Sequence, residues 1–336
     1  MTRKSMNSEN KPFLLKPAAK DYLWGGSRLN DDFNLNMDVS PFAEAWVCSC
    51  HPDGESVVSA PAVDDCISLS ECLKQHPDWL GTHAESVNNG AFPILMKLID
   101  AKSDLSVQVH PDDEYALRVE GELGKTEMWY VLDAKPGAEL VYGFNRDVTE
   151  EQVRNAIADG SIETLLNHVP VHKGDLFFIE AGTVHAIGGG ILLAEIQESS
   201  NLTYRLYDYN RVDRNRKPRP LHVDKAMEVA NLKSSNAPRQ PMRVLNYKNG
   251  WASELVARCK YFQVERVLLN TEVQRELVPF KTGSNSFHAL LVLEGCGSVS
   301  GDGVFMNFFK GDCIFVPADS VDLKLHGKAQ LLNISC

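Results

Sequence analysis

Short apolar runs alternate with turn residues along most of the chain. Runs such as "GAELVYGF", "GDLFFIEAGTVHAI", "GILLAEIQE", "FHALLVLEG", "GDCIFVPADS" and "LLNIS" are rich in β-branched and aromatic side chains and are bounded by Gly, Pro, Asp or Asn. That pattern predicts many short strands in a sandwich or barrel, not a parallel α/β sheet. Three stretches carry helical spacing instead. "DCISLSECLKQHPDWLG" offers Ser68 as a cap and Gly81 as a stop, and "DVTEEQVRNAIADG" has acidic residues in its first turn and Gly160 at its end. "SIETLLNHV" reads as a short helix behind it, so the helical segments fall at about 65–85 and 148–168.

One β unit is written twice. "KGDLFFIEAGTVHAI" starts at Lys173 and "KGDCIFVPADSVDLKL" at Lys310, and upstream "TEMWYVLDAKPG" overlays "SFHALLVLEGCG". In this register His185 faces Asp322 and Glu127 faces His288, so the second copy lacks the His and Glu of the first. The turn from Gly174 to His185 resembles the later motif of the cupin superfamily. The resemblance implies a mainly β chain of two cupin-type, jelly-roll-like barrels with a small helical insertion. The expected division is a catalytic cupin domain over 1–262 and a degenerate cupin-like β domain over 263–336.

Strand parity then gathers candidate chemistry. In "DLSVQVHPDDEYA", Ser106, Gln108 and His110 share one face, with Leu105, Val107 and Val109 on the other. In "GKTEMWYVL", Lys125, Glu127 and Trp129 share a face. If these strands line the barrel, His185 joins them from the later strand. Two imidazoles and a carboxylate suit a divalent transition metal, and an amide oxygen can complete the set. The same donors also suit a non-haem iron oxygenase, and a sugar-binding cupin without catalysis is a further alternative.

Composition narrows the classes. With 336 residues and a formal net charge of -11, the chain is long enough for one large domain or two to three ordinary ones, and it lacks the positive field that nucleic acid or an anionic membrane requires. A small anionic ligand needs only a local basic pocket. The opening "MTRKSMNSENKPF" has no apolar core of a secretory signal, and no run has the length of a membrane span, which suggests a cytoplasmic protein. The 8 cysteines form no CxxC pair; Cys48 and Cys50 read as small residues of a strand.

Six further stretches sharpen the reading: "LWGG" at Leu23, "FAEAWVCSCHPDG" at Phe42, "FPILMKLIDAKSDLSVQVHPDDEYA" at Phe92, "GKTEMWYVL" at Gly124, "AGTVHAIGGGILLAEIQESSNLTYRLYDYNR" at Ala181 and "KPRPLHVDKA" at Lys217. Together they resemble the type I mannose-6-phosphate isomerases in their short bacterial form. The resemblance implies one Zn2+ per chain, held by Gln108, His110, Glu127 and His185. It implies catalytic roles for Arg205 and Lys125 and substrate contacts from Trp24, Lys97 and Ser106. The implied reaction interconverts mannose 6-phosphate and fructose 6-phosphate through a cis-enediol, in a monomer or weak homo-oligomer. Glu195 and a metal-bound water are rival general bases. The phosphate candidates are Lys97, Ser106, Lys125 and, weakest, Arg211, while Arg214, Arg216, Lys217 and Arg219 read as a solvated basic loop. Two positions depart from larger relatives: Ile187 stands where those carry Tyr, and Asn201 where they carry Asp.

Overall fold

A computed structural model describes residues 10–59, 67–212, 216–235, 244–273 and 276–336. The fold is mainly β. Its three large sheets are antiparallel, and each is ordered as an open path.

The middle layer is a six-stranded sheet containing Glu127–Ala134, Ile191–Glu198, Ile94–Ala101 and Glu44–Cys48. Its central strands are buried along their whole length, so both faces must meet another layer. Alternation sorts them. Met96, Met128, Tyr130, Ala194 and Ile196 pack against Phe262, Phe287, Leu291 and Phe315 of the C-terminal part of the chain. Ile99, Trp129, Val131, Ile191 and Leu193 face the other way, against Leu140 and Ile187 of a five-stranded sheet. That second sheet buries Val107, Val109, Val141 and Phe144 under the helices Glu150–Asp159 and Val223–Val229. A ten-stranded sheet completes the stack, and its strand Cys313–Val316 pairs with the N-terminal strand Phe13–Lys16.

Leu105 departs from the expected parity. Val107 and Val109 lie under the helices, but Leu105 packs with Trp24 and Ile187 between the sheets. The strand runs only from Val107 to Val109, so alternation does not extend back to Leu105.

The helical segments also differ from the sequence pattern. Ser68 caps the helix Leu69–Gln75 by accepting from Glu71 N at 3.3 Å, but a 3-10 turn with Pro77 at its start interrupts it. Gly81, at φ +83, then leads into a further short helix, Thr82–Val87, instead of ending the segment. "SIETLLNHV" gives one 3-10 turn, Ile162–Leu165, and then the strand Leu166–Pro170. A helix absent from the sequence reading, Asp113–Val119, follows Pro111; Asp112 caps it through Tyr115 N at 2.9 Å.

Asp113 joins the sheet stack to the C-terminal part. Its Oδ2 accepts from Tyr261 OH at 2.7 Å and lies 3.4 Å from Lys260 Nζ. Beside it is Glu198, buried, with Oε1 accepting from Thr126 N at 2.7 Å and Oε2 without a hydrogen-bond partner among the described residues. Burial, with the Asp113 charge behind it, pushes the Glu198 carboxyl up to about 8. The folded state therefore keeps this proton after the unfolded chain has lost it. Its contribution to stability is complete below the ordinary carboxyl value and is lost as pH rises towards 8. Glu198→Gln, neutral at every pH, is expected to melt close to the parent at pH 5 and several degrees above it at pH 8.5 in thermal unfolding. Equal shifts at both pH values would contradict a buried protonated carboxyl.

Candidate metal centre and active site

The two facing sheets bring the polar residues together. In the five-stranded sheet, Gln108 lies directly across from His185 on one side and from Arg205 on the other. In the six-stranded sheet, Glu195 lies between Lys97 and Trp129. The "LWGG" segment crosses the sheet edge, with bridges from Gly25 to Ala101 and from Gly26 to Phe42. A Cβ on Gly25 would lie 2.5 Å from the Ala43 Cα, so only glycine permits this approach, which seats Trp24 against the sheet.

At the base of the site, His110, Glu127 and His185 are fully buried, with their ligand atoms within 4.8 Å of one another. Glu127 Oε1 is 3.4 Å from His110 Nε2, and Oε2 is 3.8 Å from His185 Nε2. His185 Nδ1 is 2.8 Å from the Thr183 carbonyl; donation there leaves Nε2 as the lone-pair nitrogen. Gln108 sets its amide 3.4 Å from the same Nε2, and a half-turn of that amide exchanges its nitrogen for its oxygen.

Among the described residues, neither oxygen of Glu127 accepts a hydrogen bond and His110 Nδ1 has no partner. The Lys125 ammonium is 2.7 Å from Oε1, an ion-pair contact without hydrogen-bond geometry. A buried carboxylate facing imidazole lone pairs is costly unless a cation lies between them; Lys125, 2.7 Å from Oε1 and 3.3 Å from His110 Nε2, meets that demand on one side only and leaves Oε2 facing His185. Burial, reinforced by the Lys125 charge, drives His110 down to about 3, and burial also lowers His185. Burial alone would raise Glu127, yet the Lys125 ammonium holds it well below the usual carboxylate range. Two neutral imidazoles and an ionised carboxylate are the protonation states a metal needs, and the residues fit zinc.

A cleft of about 280 Å³ opens above this base. Its lining includes Trp24, Lys97, Ser106, Gln108, Lys125, Glu195 and Arg205, all singled out by the sequence, together with Ile187 and Asn201 at the two departing positions. Trp129 lies behind the cleft in the core and donates from Nε1 to Glu195 Oε2 at 2.9 Å. Glu195 Oε1 is 2.9 Å from Lys97 Nζ. Burial, with repulsion from Glu127, raises the Glu195 carboxyl. Lys97 would lose its proton more readily through burial alone, but Glu195 and Glu44 reverse that and hold it charged.

The lining also includes Tyr22, Glu44, Ile99 and Thr203, which had no assigned role, and Arg219, whose segment reads as a solvated loop. Glu44 accepts from Trp46 Nε1 at 2.7 Å and stands 3.7 Å from Lys97. Its signal was available in "EAWVC", where one acidic residue begins a wholly buried strand, as Lys97 interrupts "ILMKLIDA" and Glu195 interrupts "ILLAEIQE". Arg211 falls outside the cleft and lines a smaller adjoining one.

A model of the catalytic domain of type I phosphomannose isomerases matches residues 13–162. Mannose-6-phosphate isomerase ManA of Bacillus subtilis (strain 168) is 37% identical over 323 residues, spanning 96% of this chain and 98% of that protein. The crystal structure of a Bacillus subtilis mannose 6-phosphate isomerase matches with a TM-score of 0.86 at 33% identity, over 97% of this chain and 99% of that one. A zinc-bound mannose 6-phosphate isomerase shares the fold at 15% identity, with a TM-score of 0.75 over 96% of this chain and 99% of that one. Near full-length coverage at this identity, on a fold that assembles the expected residues, places the chain in the type I phosphomannose isomerase family.

Proposed function

We propose that this protein is a zinc-dependent isomerase that interconverts mannose 6-phosphate and fructose 6-phosphate. The observation that carries this is the buried Glu127 carboxylate, with no hydrogen bond to either oxygen among the described residues, set between two imidazoles at the foot of a cleft lined by Lys125, Glu195 and Arg205. Gln108, His110, Glu127 and His185 would hold the ion. When bound, zinc supplies Lewis acidity towards the sugar's carbonyl and hydroxyl oxygens.

The reaction moves a proton between neighbouring sugar carbons through a cis-enediol, so it needs a base in reach and fixed positive charge near the oxygens. Glu195 is the base in this reading. The Trp129 indole anchors one of its oxygens, and burial raises its proton affinity above that of an ordinary carboxylate, which makes it a stronger base. Lys97 keeps that carboxyl oriented, and Lys125, beside Glu127, donates to the oxygens that gain charge. Arg205 contributes from the opposite sheet. Its Nε donates to Ser106 Oγ at 3.2 Å, and an Nη donates to the Pro220 carbonyl at 3.0 Å, fixing the guanidinium at the cleft. Trp24 offers an apolar wall to the sugar ring.

The same reading assigns residues 1–262 to a catalytic cupin domain and 263–336 to a degenerate copy. In that copy His288 is bonded to Asn333 at 2.7 Å, and Asp322 pairs with Lys281 at 3.0 Å, so both positions serve local structure. Among the described residues no helix is long and apolar enough to cross a membrane. We take the protein to be a cytoplasmic monomer or weak homo-oligomer that acts on free phosphosugars.

Chelation is expected to abolish turnover in a coupled isomerase assay, and one equivalent of zinc to restore it. His185→Ala should copurify with almost no zinc by emission spectroscopy; full zinc occupancy in that variant would contradict its place as a ligand. Glu195→Gln should keep its zinc while kcat falls by roughly 10²- to 10⁴-fold, the usual worth of a general base. A fall of less than about tenfold would assign the proton transfer to another group.

A further inference from the structure

The cations of the cleft differ in how they are matched. Both lysines are matched by acids: Lys97 by Glu195 and Glu44, and Lys125 by Glu127. Arg205, across from Gln108 in the five-stranded sheet, and Arg219 line the cleft as well, while its lining carboxylates, Glu44 and Glu195, are both engaged with Lys97. Arg219 comes from the segment whose composition reads as a solvated basic loop, but it is held in place. Its Nε and one Nη donate to the two oxygens of Asp208 at 2.7 and 2.6 Å, a two-pronged grip. Asp208 is only 5% exposed.

The same carboxylate also receives Arg211 at 2.5 Å, and Arg211 donates in addition to the Asp104 carbonyl. One acid thus restrains two guanidiniums, with Arg205 as a third nearby. Burial, with repulsion from Arg219 behind it, lowers the proton affinity of Arg205, so the arginines are close enough to repel each other. Three guanidiniums against Asp208 and the Asp21 of the adjoining cavity leave positive charge in excess here, within a chain whose net charge is -11. Such an arrangement is relieved by a compact dianion such as a phosphate monoester, bound by the guanidinium N–H groups that Asp208, Ser106 and Pro220 do not engage. Arg211 is turned away by its bond to Asp104 and lines the smaller adjoining cavity with Leu23 and Val212.

We propose that Arg219, held by the Asp208 carboxylate that it shares with Arg211, binds the phosphate of the sugar phosphate together with Arg205, and that Asp208 is its positioning residue. This rests on the isomerase reading and deepens it. It assigns the lysines to the sugar end and the arginines to the phosphate end. Specificity for a phosphorylated sugar then depends on a residue outside the metal's ligand set.

The test pairs steady-state kinetics on mannose 6-phosphate with calorimetric titration of inorganic phosphate into the zinc-loaded protein. Arg219→Gln is expected to raise KM at least tenfold and to weaken inorganic phosphate binding by a similar factor, with kcat falling no more than threefold. Arg219→Lys should recover part of both losses. Asp208→Asn should shift KM and phosphate affinity in the same direction by a smaller factor, which a purely structural role would not do at an unchanged melting temperature. KM and phosphate affinity within twofold of the parent in Arg219→Gln would overturn the proposal, as would a loss confined to kcat. If the parent protein does not isomerise mannose 6-phosphate, the isomerase reading fails on its own, and the titration still decides whether Arg219 binds phosphate.

Discussion

A sheet covered on both faces can carry ionised side chains only where they neutralise one another or a bound ion. The six-stranded sheet and the segment leading into it bury Glu44, Lys97, Lys125, Glu127 and Glu195 on the side of the cleft. Three carboxylates against two ammonium groups leave one negative charge in surroundings that solvate it poorly. A proton on Glu195 discharges it; a divalent cation at Glu127 reverses it. The second outcome leaves the floor of the cleft positive, the sign that an enediolate requires. Much of the local structure serves this balance: the Trp46 and Trp129 indoles donate to Glu44 and Glu195, and Thr183 orients His185.

The parity of short strands made the gathering of Gln108, His110 and Glu127 on the cleft side readable in the sequence. Gln108 and His110 alternate with Val107 and Val109, and the fold separates them onto opposite faces, towards the cleft and towards the helices. The rule failed one step earlier, at Leu105, because alternation holds only while the backbone is extended and paired. The helices fared worse at their ends. Pro77 interrupts the first segment at a place where apolar spacing alone continues. Leu166 leaves a single 3-10 turn for a strand because it pairs with Phe144 across the sheet.

What stayed hidden depends on contacts distant in the chain. The Arg and Lys of "NRVDRNRKPRP" look alike by composition, yet Arg219 is fixed by Asp208, 11 residues away, while Arg216 and Lys217 are exposed. No local pattern distinguishes them. Glu44 was hidden for the opposite reason: its strand looks apolar, and only the register with Ile94–Ala101, which sets Trp46 opposite Lys97, brings Glu44 diagonally to within 3.7 Å of that lysine. A buried charge within an apolar strand is a sequence signal, but its partner is supplied by the fold.

X-ray absorption at the zinc edge of the loaded protein tests the central claim most directly. The account predicts one zinc per chain in a shell of nitrogen and oxygen at about 2.0–2.2 Å, with the outer-shell scattering of two imidazoles. Sulfur in the first shell at roughly 2.3 Å, or a shell without imidazole, would place the metal elsewhere and contradict the convergence of Gln108, His110, Glu127 and His185 on a single ion.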